Sequence, residues 1–236
     1  MWRLLVIVGS LLPVQCVAID VARMRPDCPA GRAPARRALA PVATMTAAPP
    51  EPAVIAAVPE TVVRDVIMKF GGSSVRDAER IREVCSLVSE RIDVLGLRPH
   101  LVCSAMGKTT NHLLAACDTA LEEGTVELTS VRALHEETIA SLGVEGTAAS
   151  AEIRLLLDEC ENTLSGVAML GELSPRSRDK IVSYGERMSG RMVAACLASQ
   201  GLTSQFYESW ELGVVTTSDF GDASVLDSAW PHIGAS

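Results

Sequence analysis

The sequence predicts an α/β fold built on a mainly parallel sheet. Residues 62–70 form a β-branched run, which is followed by glycines and then by apolar residues at helical spacing. The same order recurs from residue 100, where a short apolar strand leads through a turn into an amphipathic helix. Strands that alternate with helices favour a parallel sheet covered by those helices. With 48% apolar residues among 236, the chain can build one core, or at most two small ones.

The first strand–helix unit has a glycine turn at its centre. The strand 62–70 ends at Phe70, and two glycines follow it. Between residues 75 and 95, apolar side chains recur every three or four positions, which is the spacing of one helix face. Ser74 and Asp77 resemble a capping box at the start of this helix, and Gly96 supplies its stop. We therefore expect the glycine N–H groups to lie near a helix N-terminus.

The second unit places a strand at about residues 100–104 and a helix that includes Leu113 and Leu121. The segment 126–164 is expected to form two or three helices that are interrupted at Gly143 and Gly146. Within this segment, His135 is interpreted as a solvated helix residue, because no cysteine or second histidine stands at metal-ligand spacing.

The last third of the chain begins with a helix start at Ser174, a capping residue that is followed by Pro175 at the first helical position. A further helix is predicted over about residues 186–199, with Gly185 and Glu186 at the junction where one helix gives way to another. Short strands are expected near residues 205–207 and 212–215.

Residues 1–59 are interpreted as a disordered targeting leader, and residues 60–236 as the folded part. The apolar stretch 4–18 is too short and too interrupted to span a bilayer, and it resembles a secretory signal peptide. The residues after it are rich in arginine, alanine and proline and poor in acids, as organelle transit segments are. The two segments in series predict import into a plastid (chloroplast). A plain secretory signal followed by a proline- and alanine-rich linker is the alternative.

Charge and cysteine usage exclude some classes of function. The formal net charge of −8 offers no basic face for a phosphate backbone, so we expect no nucleic-acid partner. No membrane partner is expected once the leader has been removed. The cysteines of the folded part show no CxxC spacing, which favours buried free thiols in a reducing compartment over disulfides or a zinc site. These cysteines are Cys85, Cys103, Cys117, Cys160 and Cys196.

The motif KFGGSS at residues 69–74 could bind a phosphate. Its two glycines carry no Cβ atoms, so a ligand can approach their backbone N–H groups closely. Lys69 can then place its ammonium over the same phosphate and neutralise the charge that develops during phosphoryl transfer. A tight turn with a solvated lysine is the alternative.

Two further motifs carry polar side chains. SAMGKTTN at residues 104–111 ends like a P-loop, but position 102 is valine where that loop needs glycine, so a P-loop NTPase is disfavoured. A polar turn in which Ser104 bonds to the local backbone is the alternative. In YGERMSGR at residues 184–191, the Glu186 carboxylate could receive a substrate ammonium. Its alternative is a helix-surface carboxylate paired with Arg187 or Arg191.

Together, three motifs resemble the N-terminal catalytic part of the aspartate kinases, members of the amino acid kinase family. They are KFGGSSV at residues 69–75, SAMGKTTN at 104–111 and SYGERMS at 183–189, in this order and at about this spacing. MLGELSPRSRD at residues 169–179 is similar to the single-function plant and algal form. The resemblance covers about residues 62–227. It implies the amino acid kinase fold, a three-layer αβα sandwich around a mainly parallel sheet.

The resemblance also implies roles for individual residues. Lys69 would be the catalytic residue that contacts the ATP phosphates and stabilises the transferring phosphoryl group. Glu186 would hold the substrate aspartate. The ATP-binding residues implied are Lys69, Gly71, Gly72 and Ser104. The further substrate contacts implied are Ser73, Ser74, Thr216, Thr217 and Asp219.

By the same resemblance, the reaction is phosphoryl transfer from ATP to the β-carboxylate of L-aspartate. The product, 4-phospho-L-aspartate, begins lysine, threonine and methionine biosynthesis. Mg²⁺ would arrive with the nucleotide, and no protein metal ligand is expected. The acceptor carboxylate is ionised at neutral pH, so no general base is needed. The full-length enzyme would be a homodimer.

The family continues with a second glycine-rich nucleotide segment and with regulatory domains, and nothing similar occurs before Ser236. We therefore expect a C-terminally truncated catalytic domain with little activity alone and with an exposed sheet edge. Two alternatives stay open. One is an inactive remnant or regulatory partner of a full-length aspartate kinase, and the other is an amino acid kinase with a different acceptor.

Overall fold

The computed structural model of the protein describes residues 17–23 and 64–233. Both ranges belong to the same compact unit. The strands described are β1 (Val17–Arg23), β2 (Arg64–Phe70), β3 (Leu97–Cys103) and β4 (Leu202–Tyr207). The helices described are α1 (Ala78–Asp93), α2 (Thr109–Glu123), α3 (Thr129–Leu142), α4 (Ala148–Leu170), α5 (Pro175–Ser199) and the short α6 (Trp230–Ile233). A 3-10 helix, Asp227–Ala229, precedes α6.

The strands form one mixed sheet in the order β2-β3-β1-β4. β2 and β3 pair in parallel, from Arg64 opposite Leu97 to Phe70 opposite Cys103. β1 runs antiparallel to both of its neighbours, β3 and β4. β2, β3 and β4 therefore point in one direction, and the carboxyl ends of β2 and β3 meet at the same edge of the sheet. The predicted α/β class is confirmed, and three of the four described strands run in the same direction.

β1 comes from the segment that the sequence analysis assigned to a disordered leader. Val17 pairs with Cys103 on one side, and Ala18 pairs with Tyr207 on the other. For residues 17–23, the expectation of disorder therefore differs from the structure. The sequence VAIDVAR alternates β-branched and other residues, which suits a strand as well as the end of a signal peptide. The leader boundary at residue 59 stays a prediction, because residues 1–16 and 24–63 lie outside the described residues.

The start of α1 differs from the prediction. Its N-cap is Asp77, whose carboxylate accepts a hydrogen bond from the Arg80 N–H at 2.9 Å. Ser74 and Asp77 thus do not form the expected capping box. Residues 72–77 form turns and bends between β2 and α1. The two glycines therefore precede the N-cap of α1 by five and six residues.

The helix α5 is the longest element and runs unbroken over 25 residues. It begins as predicted, since the Ser174 hydroxyl accepts a hydrogen bond from the Ser177 N–H at 3.1 Å and Pro175 occupies the first position. The helix continues through Gly185 and Glu186, so the predicted junction between two helices is wrong. Gly185 lies within the helix because of a close contact described below, and not because the helix ends there.

Two further expectations are corrected. His135 is fully buried on α3 and not solvated; its Nδ1 lies 2.7 Å from the backbone oxygen of Val131, and its Nε2 has no hydrogen-bond partner. Residues 212–215 form turns and loop, and not a strand. Only the bridge from Thr216 to Val225 gives the described residues after β4 any sheet-like pairing. The burial of His135 depends on packing between elements that are distant in the sequence, and the local spacing of residues does not reveal such packing.

The hydrophobic core lies among the inner faces of the helices α1 to α5 and the strand β3. All five cysteines of this part are buried and free, as the sequence analysis predicted. Burial raises the pKa of the Cys103 thiol to about 12, so this thiol stays protonated at neutral pH. The core fixes the position of α5 against the edge of the sheet where β2 and β3 end.

Candidate functional site

The first part of the site is the shared carboxyl edge of β2 and β3. Lys69 lies opposite Val102 in the parallel pair, and its side chain is exposed. Directly after β3, the backbone N–H of Ser104 donates to the carbonyl oxygen of Phe70 at 2.9 Å. The structure therefore places Lys69 and Ser104 at the same end of neighbouring strands. In open α/β sheets, this edge is where ligands bind.

The two glycines of KFGGSS have different surroundings. A Cβ added at Gly72 would lie 2.8 Å from the carbonyl oxygen of Ala105 and 3.1 Å from that of Gly107. The Gly72 carbonyl accepts a hydrogen bond from the Gly107 N–H at 3.1 Å, which closes the contact. A Cβ added at Gly71 would meet no atom within 4 Å. Gly72 therefore packs against the 105–107 turn, and Gly71 is the glycine whose backbone is open to a ligand.

The helix α5 approaches the same 105–107 turn from another direction. A Cβ at Gly185 would lie 2.8 Å from the Cβ of Ala105 and 3.4 Å from the Cγ2 of Thr109. This close approach brings the next residue of α5 to the turn. The Ala105 N–H points at Glu186 Oε1 at a distance of 3.4 Å, which is a long hydrogen bond. Gly72 and Gly185, which belong to distant motifs, thus both pack against this one turn, and Glu186 lies beside it.

The Glu186 carboxyl group is buried and only partly satisfied. Its second oxygen, Oε2, is buried without a hydrogen-bond partner. Burial raises the pKa of Glu186 to about 7, although the N–H groups of Ala105 and of Glu186 itself oppose this shift. An incoming ammonium group would supply both a hydrogen-bond donor and a compensating charge. A buried carboxyl oxygen without a partner is therefore the feature expected of a site that receives a cation.

The alternative interpretation of Glu186, a surface ion pair with its neighbours, is not what the structure shows. Arg187 Nε and Arg191 Nη2 each donate to Oε1 of Glu208, both at 2.9 Å. Arg191 also donates from Nε to Glu152 at 2.8 Å. Both arginines are therefore directed to other carboxylates, and the charge of Glu186 is left for a ligand.

Ser73 and Ser74 line a groove of about 410 Å³ on the side of α1. Phe70, Arg76 and Arg80 also line this groove, whereas Lys69 and Glu186 do not. The Ser74 N–H donates to the carbonyl oxygen of Gly71 at 2.9 Å, so this serine is part of the turn after β2. The two serines are thus next to the glycines in space, but they face a groove that Glu186 does not line.

Thr216, Thr217 and Asp219 lie in the loop after β4. The Thr217 N–H donates to the Ser224 carbonyl at 2.8 Å, and the Thr217 hydroxyl accepts from the Ser224 N–H at 3.2 Å. The Thr216 hydroxyl donates to the Thr217 carbonyl at 3.0 Å, and Asp219 is exposed. Both threonine hydroxyls are therefore used to shape their own loop.

The 105–107 turn lies within the predicted motif SAMGKTTN, but the sequence analysis gave no role to Ala105. Ala105 acts through its backbone N–H and its small side chain, which the sequence pattern does not distinguish from those of an ordinary turn residue. Thr109 was also missed; its hydroxyl is fully buried without a hydrogen-bond partner, and its methyl group contacts the region of Gly185. Glu208, which receives both arginines, carried no signal beyond being an acid after a short strand.

Residues 17–23 and 64–233 contain neither a metal-ligand cluster nor a membrane-spanning helix. The side chains in these ranges bring no three His, Cys, Asp or Glu residues together as metal ligands. None of the helices in these ranges combines the length and the apolar character that crossing a bilayer requires.

Sequence comparisons place these features among known proteins. The chain is 41% identical to aspartokinase 2, chloroplastic, and 43% identical to aspartokinase 3, chloroplastic, both of Arabidopsis thaliana. Each match extends over 173 residues, which is 71% of this chain and 30% of the relative. The aspartokinase of Schizosaccharomyces pombe is 31% identical over 158 residues. The chain thus spans about 30% of the length of the curated relatives it matches.

Solved structures show the same fold. The chain matches E. coli aspartokinase III in complex with lysine and aspartate, and the same enzyme in complex with aspartate and ADP. Both matches have a TM-score of 0.58 at 22% identity and cover 73% of this chain and 37% of the other. The family model described as "Amino acid kinase family" matches residues 65–229, which include the β2 edge, the 105–107 turn and α5. The chain therefore belongs to the amino acid kinase family.

Proposed function

We propose that this chain is the N-terminal catalytic part of an aspartate kinase, which transfers the γ-phosphoryl group of ATP to the β-carboxylate of L-aspartate. The product would be 4-phospho-L-aspartate, the first intermediate of lysine, threonine and methionine biosynthesis. The observation that carries the proposal is Glu186, a carboxyl group at the 105–107 turn with one buried oxygen that lacks a partner. The similarity to plant aspartokinases supports the choice of L-aspartate.

In this proposal, Glu186 receives the α-ammonium group of L-aspartate through its free oxygen. The ammonium would restore the ionised form of a carboxyl group whose pKa burial has raised to about 7. Holding the amino acid at one end orients its β-carboxylate toward the phosphoryl donor, which lowers the entropic part of the barrier. The acceptor carboxylate is already an anion, so no side chain has to remove a proton from it.

The edge of β2 fits the phosphates of ATP. Gly71 has open space where a side chain would stand, so its backbone can approach a phosphate, and the exposed Lys69 can reach over it. Lys69 would neutralise charge on the transferring phosphoryl group. Ser104 begins the neighbouring turn, and Gly72 keeps that turn in place. Mg²⁺ would be carried by the nucleotide phosphates, where it offsets the repulsion between donor and acceptor.

The test is binding of L-aspartate to the 236-residue chain by titration calorimetry, followed by a hydroxamate assay with ATP and Mg²⁺. We expect Glu186→Gln to weaken L-aspartate binding by roughly a hundredfold, since a charged hydrogen bond to the ammonium is lost. The matched control is Glu172→Gln, an exposed glutamate next to the start of α5. If Glu186→Gln binds L-aspartate as tightly as the wild type, the role of Glu186 is wrong. Binding with little turnover is the result expected of an N-terminal catalytic part alone.

Three further assignments belong to this proposal. Ser73, Ser74, Thr216, Thr217 and Asp219 are proposed substrate contacts, and single alanine variants should weaken L-aspartate binding. Residues 1–59 are proposed to direct the chain to a plastid, in line with the chloroplastic names of its relatives. A fluorescent-protein fusion to residues 1–59 tests this address, and accumulation in the secretory pathway would contradict it.

The full-length protein is proposed to be a homodimer, which sedimentation can test.

A further inference from the structure

A buried ion cluster joins α5 to the residues that follow β4. Glu208 is only 5% exposed, and its Oε1 accepts from Arg187 Nε and from Arg191 Nη2, both at 2.9 Å. Arg191 also donates from Nη1 to the Arg187 carbonyl at 3.0 Å. Two guanidinium groups from successive turns of one helix therefore converge on a single carboxylate that lies outside that helix.

Aromatic rings enclose the same cluster. The Arg187 guanidinium lies 5.3 Å from the centre of the Tyr184 ring and 5.4 Å from that of Trp210. Arg191 lies 4.1 Å from the centre of the Phe206 ring. These distances are within the range of cation–π interactions. Trp210 belongs to the loop and Tyr184 to α5, so Arg187 is held between the two elements that the cluster joins.

The residues between β4 and the 3-10 helix, hereafter the 208–226 segment, have a second attachment to α5. The Gly221 N–H donates to Asp179 Oδ2 at 2.8 Å. Within the segment, the Val214 N–H bonds to the Ser209 carbonyl and the Leu226 N–H to the Val215 carbonyl. The segment is therefore internally bonded and is fixed to α5 at two points, one near Glu208 and one near Gly221.

We propose that Arg187, Arg191 and Glu208 form a positioning clamp for the amino acid site, holding the 208–226 segment against the helix that presents Glu186. The inference rests on the proposed function, because it assigns the clamp to the site where Glu186 receives the substrate. Arg187 directly follows Glu186 in α5, and successive residues of a helix face different directions. The orientation of α5 that places the Glu186 side chain at the site therefore also places the Arg187 side chain at the clamp. These residues orient other groups and do not touch the reacting atoms.

Breaking the clamp should loosen the 208–226 segment, and this effect can be measured. Removing the charge of Glu208 leaves two guanidinium groups in a mostly buried setting without their shared negative partner. Two alternative partners remain for Arg191, namely Glu152 and the Arg187 carbonyl, whereas the bond from Arg187 Nε to Glu208 has no replacement among the described contacts. We therefore expect the segment to loosen near Trp210 before α5 itself is affected.

The experiment compares wild type with Glu208→Gln, Glu208→Asp and Arg187→Lys in the 236-residue chain. Hydrogen exchange is measured at the amides of Val214, Thr217 and Leu226, and L-aspartate binding is measured by calorimetry. The matched control is Glu136→Gln, which removes a doubly bonded Arg154–Glu136 pair between α3 and α4. We expect Glu208→Gln to exchange about tenfold faster at the three segment amides and to bind L-aspartate about tenfold more weakly.

Several results decide the proposal. α5 amides that exchange at the wild-type rate, together with partial recovery in Glu208→Asp, support positioning and not a general loss of stability. Segment amides that keep their wild-type exchange in Glu208→Gln overturn the clamp. Equal acceleration in the segment and α5, or L-aspartate binding unchanged in Glu208→Gln, overturns the positioning role. If the wild-type chain does not bind L-aspartate, the proposed function fails and this use of the clamp fails with it. Arg187→Lys provides the same comparison if Glu208→Gln does not fold.

Discussion

Gly185 in α5 and Ala105 after β3 pack so closely that a Cβ on the glycine would lie 2.8 Å from the Cβ of the alanine. The residues are far apart in the sequence, and this contact sets the distance at which Glu186 meets the Ala105 N–H. We expect Gly185→Ala to lower the free energy of unfolding by about 1–2 kcal/mol, because overpacking outweighs the gain in helix propensity. Urea denaturation measures the change.

The control for this prediction is Gly166→Ala. Gly166 lies within α4, and a Cβ there would meet no atom within 4 Å. The same substitution should then raise the free energy of unfolding by about 0.5–1 kcal/mol, since alanine restricts the unfolded chain and favours the helix. The two substitutions are therefore expected to change the free energy of unfolding in opposite directions. A Gly185→Ala variant as stable as Gly166→Ala would show that the contact with Ala105 yields without cost.

The glycine pair of KFGGSS offers a second matched comparison. Gly72→Ala would place a Cβ against two backbone oxygens, at 2.8 Å from Ala105 and 3.1 Å from Gly107, and backbone atoms cannot rotate away. We expect it to lose about 2 kcal/mol of stability. Gly71→Ala meets no atom within 4 Å and should stay within about 0.5 kcal/mol of wild type. It should still weaken ATP binding, because the new methyl group occupies the side open to a phosphate.

Thermal and urea unfolding of these two variants can be combined with calorimetric titration of ATP. Loss of stability in Gly72→Ala alone, with loss of ATP affinity in Gly71→Ala, supports the division of roles. Gly71→Ala with unchanged ATP affinity would contradict the phosphate site at that glycine.

Local pattern was sufficient to predict the elements that depend on local interactions. The strand ending at Phe70, the helices on either side of Gly143 and the capped start of α5 at Ser174 were each confirmed. Side-chain spacing, a capping hydroxyl and a proline at the first helical position act over a few residues, so a single sequence displays them. The burial of the cysteines followed in the same way from their apolar surroundings.

Contacts between residues that are far apart in the sequence could not be predicted from local sequence patterns. Glu186 and Ala105 are 81 positions apart, and their contact exists only because Gly185 permits it. A helix that continues through a glycine looks, in sequence, like a helix that ends there. Likewise, the partner of Arg187 and Arg191 is Glu208, beyond the end of their own helix, whereas the sequence offered Glu186 as the nearest acid.

The Glu186 carboxyl group should make stability depend on pH. Burial raises its pKa from the usual 4.5 to about 7, so the folded protein binds this proton more tightly than the unfolded chain does. The resulting stabilisation is complete below about pH 4.5 and is lost as pH rises through 7. Glu186→Gln has no such proton and should be more stable than wild type by roughly 3 kcal/mol above pH 7.

Urea unfolding of wild type and Glu186→Gln at pH 4, 6 and 8 checks this. The difference between the two proteins should grow across the series and be smallest at pH 4. The same group predicts that L-aspartate affinity rises with pH toward about 7, because the ammonium binds the ionised carboxylate. A constant stability difference across the three pH values would show that Glu186 is not the buried acid inferred here.

His135 should make the stability of the protein change with pH in the direction opposite to that caused by Glu186. It is fully buried on α3, and burial lowers its pKa below the usual 6.5, so the folded protein favours the neutral ring. This contribution to stability is present above pH 6.5 and is lost as pH falls below it, by at most about 1.4 kcal/mol per pH unit for one proton. His135→Leu and His135→Gln both remove the titrating ring, so both should flatten the acid side of the stability profile. Unfolding measured between pH 4 and pH 7 separates this effect from that of Glu186, whose slope has the other sign. If both variants lose stability toward acid as the wild type does, other groups cause the loss and His135 titrates outside this range.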